Sequence, residues 1–221
     1  MEQHYNHLLT YFPNEPLAEF TVTVLIGSVY YWLLGSLFLI IDLKRKPNFL
    51  YQYKIQKSSQ ISDSSLGKLY RQILYNQTLQ AILGAVLIYL RYHYLEHSIN
   101  RVVPTLSRFA FEFFVFNLLR EVTFYYSHRW LHHPSVYKYV HKRHHEWQTP
   151  IALTAVYCHP LEHLLSNIIP VFIGPIVMGS HNLASYIWIG YVITETISAH
   201  SGYQFPLNPI SPVFHDFHHL K

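Results

Sequence analysis

The sequence predicts an all-α integral membrane helical bundle, and three observations predict it. Half of its 221 residues are hydrophobic and only 13% are charged, where a soluble domain carries roughly 25%. The apolar residues fall in long runs separated by basic loops. The 17 histidines are unevenly spread, with thirteen of them between His128 and His219. The length suits one domain with a substantial core. The net charge of +4 is small, and its cations flank apolar runs, which argues against a nucleic-acid partner. A single cysteine, Cys158, leaves no disulfide framework and no thiolate metal site.

Residues 1–16 are polar and aromatic, end in Pro13 and Pro16, and read as a surface lead-in. No cleavable signal peptide is expected, because Glu2, Glu15 and Glu19 stand where a signal carries Lys or Arg. Phe20 to Ile41 is 22 residues without a charge. At about 1.5 Å per residue it crosses the roughly 30 Å hydrocarbon layer. Asp42, Lys44, Arg45 and Lys46 stop it, and residues 42–72 read as a polar loop. Ile73 to Leu90 is the second candidate span, followed by a turn region up to Pro104. Thr105 to Tyr126 is a third apolar helix with Glu112, Arg120 and Glu121 inside it; charges at membrane depth normally face the bundle interior.

Ile151 to Met178 is apolar, long, and interrupted by Pro160, Pro170, Gly174 and Pro175, so a helical hairpin turning at 170–175 is expected. Leu183 to Ala199 is the last apolar stretch, and a loop punctuated by Pro206, Pro209 and Pro212 follows His200. The division expected is an N-terminal membrane anchor with two transmembrane helices over 1–104 and a catalytic region over 105–221. Lys44, Arg45, Lys46, Lys54, Lys57, Lys68 and Arg71 outnumber Arg91, Arg101 and Arg108 of the next loop, which places residues 42–72 in the cytosol. The third helix then brings His128 back to that side, where Arg129, Lys138, Lys142 and Arg143 agree.

The histidines form boxes. His128 and His132 stand four apart, and His141 stands three and four before His144 and His145, so on helices each set shares a face. His215, His218 and His219 repeat the pattern. His4, His7, His93, His97 and His181 read as ordinary polar groups. Imidazole suits Zn, Cu, Fe and Ni. Eight or more candidates exceed the four ligands of one such ion, so two ions side by side fit the count. Carboxylate-bridged bundles repeat a Glu-x-x-His pair, which is not repeated here. The expectation is a histidine-rich helical cap at the cytosolic face holding a dinuclear, nearly all-imidazole metal site. Neutral ligands leave the metal charge uncompensated, which suits oxidation of an unactivated C–H bond. Residues 151–199 must then leave and return on the same side. Helices 73–90, 105–127 and 151–178 would wall a pocket open to the bilayer, fitting either a flat sterol or a linear acyl chain.

The run His128–His133, the His-x2-His-His-Glu run His141–Glu146, Tyr-Cys-His-Pro-Leu-Glu at Tyr157–Glu162, His-Ser-Gly-Tyr at His200–Tyr203 and His-Asp-Phe-His-His at His215–His219 together resemble the fatty acid hydroxylase/sterol desaturase superfamily. The resemblance runs from about residue 110 to the end and looks nearest to the C4-methylsterol oxidases. It implies a multi-pass enzyme of the endoplasmic reticulum membrane with two non-haem Fe ions. O2 is its co-substrate, with electrons from NAD(P)H delivered through cytochrome b5 or its reductase. A lipid is hydroxylated or desaturated, a sterol C4-methyl group first. The alternatives are a fatty-acyl or sphingolipid hydroxylase, a non-catalytic membrane regulator that keeps the metal scaffold, and a zinc or copper hydrolase or transporter. Carried over residue by residue, the metal ligands are His128, His132, His141, His144, His145, His200, His215, His218 and His219. His159 and Glu162 are orienting residues or a tenth ligand, Glu146 and Asp216 are further orienting candidates, and His133 and His163 are extra histidines beside the boxes. The sequence ends at Lys221, where members of the superfamily continue, so the catalytic region is expected to be C-terminally short.

Overall fold

Side-chain caps and glycines set most of the helix boundaries. The structure, a computed structural model, describes residues 2–57, 61–95, 98–206 and 212–220; His97 and Pro209 lie outside the described residues. Helix α1 is Glu2–Leu9. The Asn14 side chain accepts from the Leu17 N–H at 2.9 Å and starts α2, Glu15–Lys44, which ends where Arg45 turns left-handed. A short α3, Asn48–Tyr51, precedes α4, Asp63–Tyr94, whose first turn is capped by Ser62. Thr105 caps α5, Leu106–Leu131. Then come α6, Pro134–Tyr137, and two 3₁₀ turns, His141–Glu146 and Ala152–Val156. Helix α7 is Pro160–Met178, α8 is Asn182–His200 and α9 is Pro212–His219. The described residues contain no β-strand, only an isolated bridge between Lys54 and Tyr203.

Three helices, α2, α4 and α7, are long and apolar enough to cross a membrane. The third apolar helix expected at Thr105–Tyr126 forms as α5 but is not one of the three, because Arg108, Glu112, Arg120, Glu121 and Arg129 interrupt it. Two of its charges are drawn from solvent in pairs, buried Glu112 with Arg108 at 2.7 Å and half-buried Arg120 with Glu195 of α8, while Glu121 and Arg129 are exposed.

The structure corrects four expectations. The lead-in is not merely surface chain, since Tyr5 of α1 is buried against Ala18 and Ile99. The polar loop ends at Asp63 rather than 72, because the Ser62 cap starts α4 early and Leu69 and Ile73 bury into the core. The box His141–Glu146 is a 3₁₀ turn rather than an α-helix. The hairpin does not turn at 170–175: α7 runs through both prolines and reverses at Gly179, which takes φ +56° and lacks the Cβ that disfavours that conformation. Pro170 sits in the first turn of an α-helical segment that follows a π turn, His163–Ile168. Pro175 cannot donate to the carbonyl of Val171. The Trp188 indole N–H of α8 donates to that carbonyl instead, at 2.8 Å. At Gly174 the two backbones of α5 and α7 meet so closely that a Cβ would lie 2.8 Å from the Phe116 Cα.

The resulting hairpin α7–α8 leaves the histidine end and returns to it. The turn Ala152–Val156 wedges under that end, with Leu153 buried and its carbonyl accepting from the Tyr31 hydroxyl at 2.6 Å. The segment after α3 straps the same end. Lys54 is buried, pairs with Asp42 at 2.9 Å, and donates to the Ser201 carbonyl beside His200. Gln56 donates to both Asp216 carboxylate oxygens, at 2.8 and 3.0 Å, on the back of α9.

Candidate metal centre

Four elements converge at this end, each for a local reason. The last turn of α5 carries His128, and its C-cap is His132, so the four-residue spacing puts both rings on one side. In the 3₁₀ turn, residues three apart eclipse, and the His141 and His144 rings stack with centroids 5.5 Å apart. His200 ends α8. Helix α9 presents His215 and His219 together and His218 to their side.

The rings sort into two groups. In the first, His128, His132, His141 and His218 place one ring nitrogen each within 4.8 Å of the others. His218 Nε2 lies 3.1 Å from His128 Nε2 and 3.3 Å from His132 Nε2, and His132 and His141 approach to 2.9 Å. In the second, His144, His200, His215 and His219 do the same. His215 and His219 are 3.0 Å apart at Nε2, and His144 and His200 3.4 Å. His145 stands between the groups, 3.1 Å from His141 at Nε2, with its ring 4.9 Å from that of His219.

Hydrogen bonds fix two tautomers of the second group. The Nδ1 of His200 faces the Thr196 carbonyl at 2.8 Å, and that of His144 faces the Tyr157 carbonyl at 3.3 Å. A carbonyl only accepts, so each Nδ1 carries the proton and each Nε2 carries a lone pair in the neutral ring. The facing Nε2 atoms of His144 and His200 therefore cannot bond to each other. A second proton on either ring would put a cation into a buried site, at high desolvation cost. Burial pushes His144 and His215 well below the usual imidazole range, with neighbouring rings adding to it, and pushes His219 down to about 2 and His145 and His218 to about 4. These neutral, convergent lone pairs are the donor set that a divalent transition metal takes. The nitrogen-only groups fit two such ions, iron among them.

The sequence comparisons agree with this geometry. The fatty acid hydroxylase family model matches residues 113–221. Methylsterol monooxygenase 1 of Danio rerio is 31% identical, with the alignment covering 98% of this chain and 76% of that one. The chain belongs to the fatty acid hydroxylase family. Fatty acid hydroxylase domain-containing protein 2 of Homo sapiens is 39% identical over 97% of this chain. A very-long-chain aldehyde decarbonylase of Oryza sativa subsp. japonica is 31% identical over 99% of this chain and 82% of its own length. The chain spans 65% of the length of the human relative. No solved structure matches it.

Among the residues singled out in this fatty acid hydroxylase chain, all nine box histidines meet at one end. Glu162 reaches them directly: its carboxylate lies 2.8 Å from His141 Nδ1. Glu146 and Asp216 do not touch a box ring. Glu146 accepts from the Tyr157 hydroxyl at 2.6 Å, and Asp216 is held by Gln56. His159 stands outside both groups and caps α7, its Nδ1 accepting from the Leu161 N–H at 3.2 Å. His133 caps α6 and His181 caps α8 in the same way. His163 is buried between Gln80 and Asn167. Sequence reasoning missed the Thr196 and Tyr157 carbonyls, Gln56 and Lys54. Thr196 was findable, four residues before His200 on one helix; the other three carry no local signal.

A cavity of about 270 Å³ opens beside the second group. His128, His144, His200 and His215 form its floor, and Gly27 of α2, Phe172 of α7 and Ile189 of α8 lie farther along its walls.

Proposed function

We propose that this chain is a membrane-bound O2-dependent lipid oxidase with two non-haem iron ions, one held by His128, His132, His141 and His218 and the other by His144, His200, His215 and His219, with His145 beside both. The observation that carries the reading is the pair of lone pairs at His144 and His200, 3.4 Å apart and buried, which a shared cation reconciles. Iron bound there supplies the activation of O2 needed to attack an unactivated C–H bond. The chain's own part is to hold the rings neutral and aimed, with Glu162 fixing the tautomer of His141. It also presents a substrate carbon in a cavity walled by membrane helices, where water is excluded.

A sterol C4-methyl group is the leading substrate, supported by the likeness to a methylsterol monooxygenase. A fatty-acyl or sphingolipid chain is the second reading, supported by the family that the model describes. The histidine end faces the cytosol of the endoplasmic reticulum membrane. Lys44, Arg45, Lys46, Lys54 and Lys57 lie at that end with the boxes, and Arg101 and Arg108 lie at the other. Electrons come from NAD(P)H through cytochrome b5 or its reductase, which reach the cap from that side.

The test is expression in cells lacking their own C4-methylsterol oxidase. The wild-type chain restores normal sterols, and His144→Ala leaves C4-methyl sterols accumulating. Rescue by both chains alike would point to a non-catalytic role, and rescue by neither, with altered hydroxylated acyl chains, to the second substrate.

A further inference from the structure

The cavity surface is mostly apolar, and three of its polar lining residues bond to one another. These are Gln80 of α4 and His163 and Asn167 of α7. The Asn167 amide donates to His163 Nδ1 at 3.1 Å, so His163 carries its proton on Nε2 and donates it to the Gln80 amide oxygen at 3.0 Å. The chain of bonds is directional. It leaves two groups without a partner among the described residues: the Gln80 amide nitrogen, a donor, and the Asn167 amide oxygen, an acceptor. Both residues are only partly buried and both line the cavity.

Two further observations point to a ligand. His163–Ile168 is a π turn, and so is Leu25–Tyr30, which brings Gly27 opposite Gln80. Such turns cost helix regularity and occur mostly at functional sites. Both lie in the wall of this one cavity. The only cation among the lining residues, Arg120, is already paired with Glu195 and Glu121. Away from the histidine floor, a carboxylate entering the cavity would find no unpaired cation.

We propose that Gln80, His163 and Asn167 form a specificity group that reads a neutral hydroxyl on the lipid, one that donates to Asn167 and accepts from Gln80. The proposal rests on the oxidase reading for its meaning, since Glu162, next to His163, touches His141. The hydroxyl is thus read on the wall of the cavity whose floor is the histidine cap. A sterol alcohol and a hydroxylated acyl chain share this chemistry; a free fatty acid and a plain hydrocarbon lack it.

The test is equilibrium binding to the full chain in detergent, followed by tryptophan fluorescence, with two matched pairs of probes: cholestanol against cholestane, and hexadecanol against hexadecane. Palmitate is a fifth probe. The wild-type chain binds the alcohol of at least one pair about tenfold more tightly than its alkane, a difference of about 1.4 kcal/mol. The pair that shows it tells sterol from acyl. Gln80→Leu and, separately, Asn167→Leu bring the ratio close to one while alkane binding and iron content stay unchanged. Asn167→Leu keeps the Gln80–His163 bond, so misfolding of one variant leaves the other to decide. A ratio near one for both pairs in the wild type, a ratio retained in both variants, or palmitate binding more tightly than hexadecanol overturns the proposal. A wild-type chain that holds no iron yet prefers the alcohol refutes the oxidase reading and leaves this one standing. Iron and turnover without the preference do the reverse.

Discussion

The two histidine groups share two boxes, His141–Glu146 and His215–His219, and differ in depth. In the first, only His141 is buried; in the second, His144, His200 and His219 are. The box His141–Glu146 feeds one ring to each group, and α9 feeds His218 to the first and His215 and His219 to the second. Residue type and spacing therefore do not determine environment. The interior group faces the cavity with three rings and the rim group with only His128. Burial depresses rings of both groups, His219 to about 2 and His218 to about 4, and pushes His141, the buried ring of the rim group, further down still. On the proposed oxidase reading this is a division of labour: the interior group would meet substrate, and the rim group would open to the side from which electrons come.

That contrast can be broken in graded ways. The largest effect is expected from His144→Ala. It removes an interior ligand and should abolish turnover, with metal affinity falling by more than the roughly 10–100-fold typical of changes behind the ligands, read by titration of the apoprotein. Lys54→Met comes next. It leaves the Asp42 carboxylate buried without its cation and frees the Ser201 carbonyl beside His200. A loss of about 3–5 kcal/mol is expected from breaking a buried pair on one side, measured by denaturant unfolding in detergent, with interior metal released before rim metal. Glu162→Ala should weaken only the rim ion, by about 10–100-fold, since Glu162 holds His141 alone. Equal weakening of both ions would show that the groups act as one. Gly174→Ala forces apart α5 and α7, which carry His128 and Glu162, at the Phe116 contact. It should cost about 1–3 kcal/mol as overpacking, lowering Tm while leaving both ions bound.

Much of this was legible beforehand, for physical reasons. An uncharged run such as Phe20–Ile41 admits one reading, and histidines spaced four apart on α5 must share a face. The hairpin was misplaced because Pro170 and Pro175 break helices only when nothing else satisfies the carbonyls they strand. Trp188, distant in sequence, satisfies that of Val171. The split of the second and third boxes between two groups was invisible, because it depends on the 3₁₀ winding of His141–Glu146 and on the approach of α9. The strap formed by Lys54 and Gln56 was invisible for the same reason: its partners, Asp42, Ser201 and Asp216, are set by tertiary contacts alone.

The most direct test counts iron per purified chain by plasma mass spectrometry in the wild type, His132→Ala and His144→Ala. Two separate imidazole sites predict about two ions in the wild type and about one in each variant, a different one being lost each time. A wild-type chain with no iron or a single ion, or variants that both keep the wild-type number, would contradict the account.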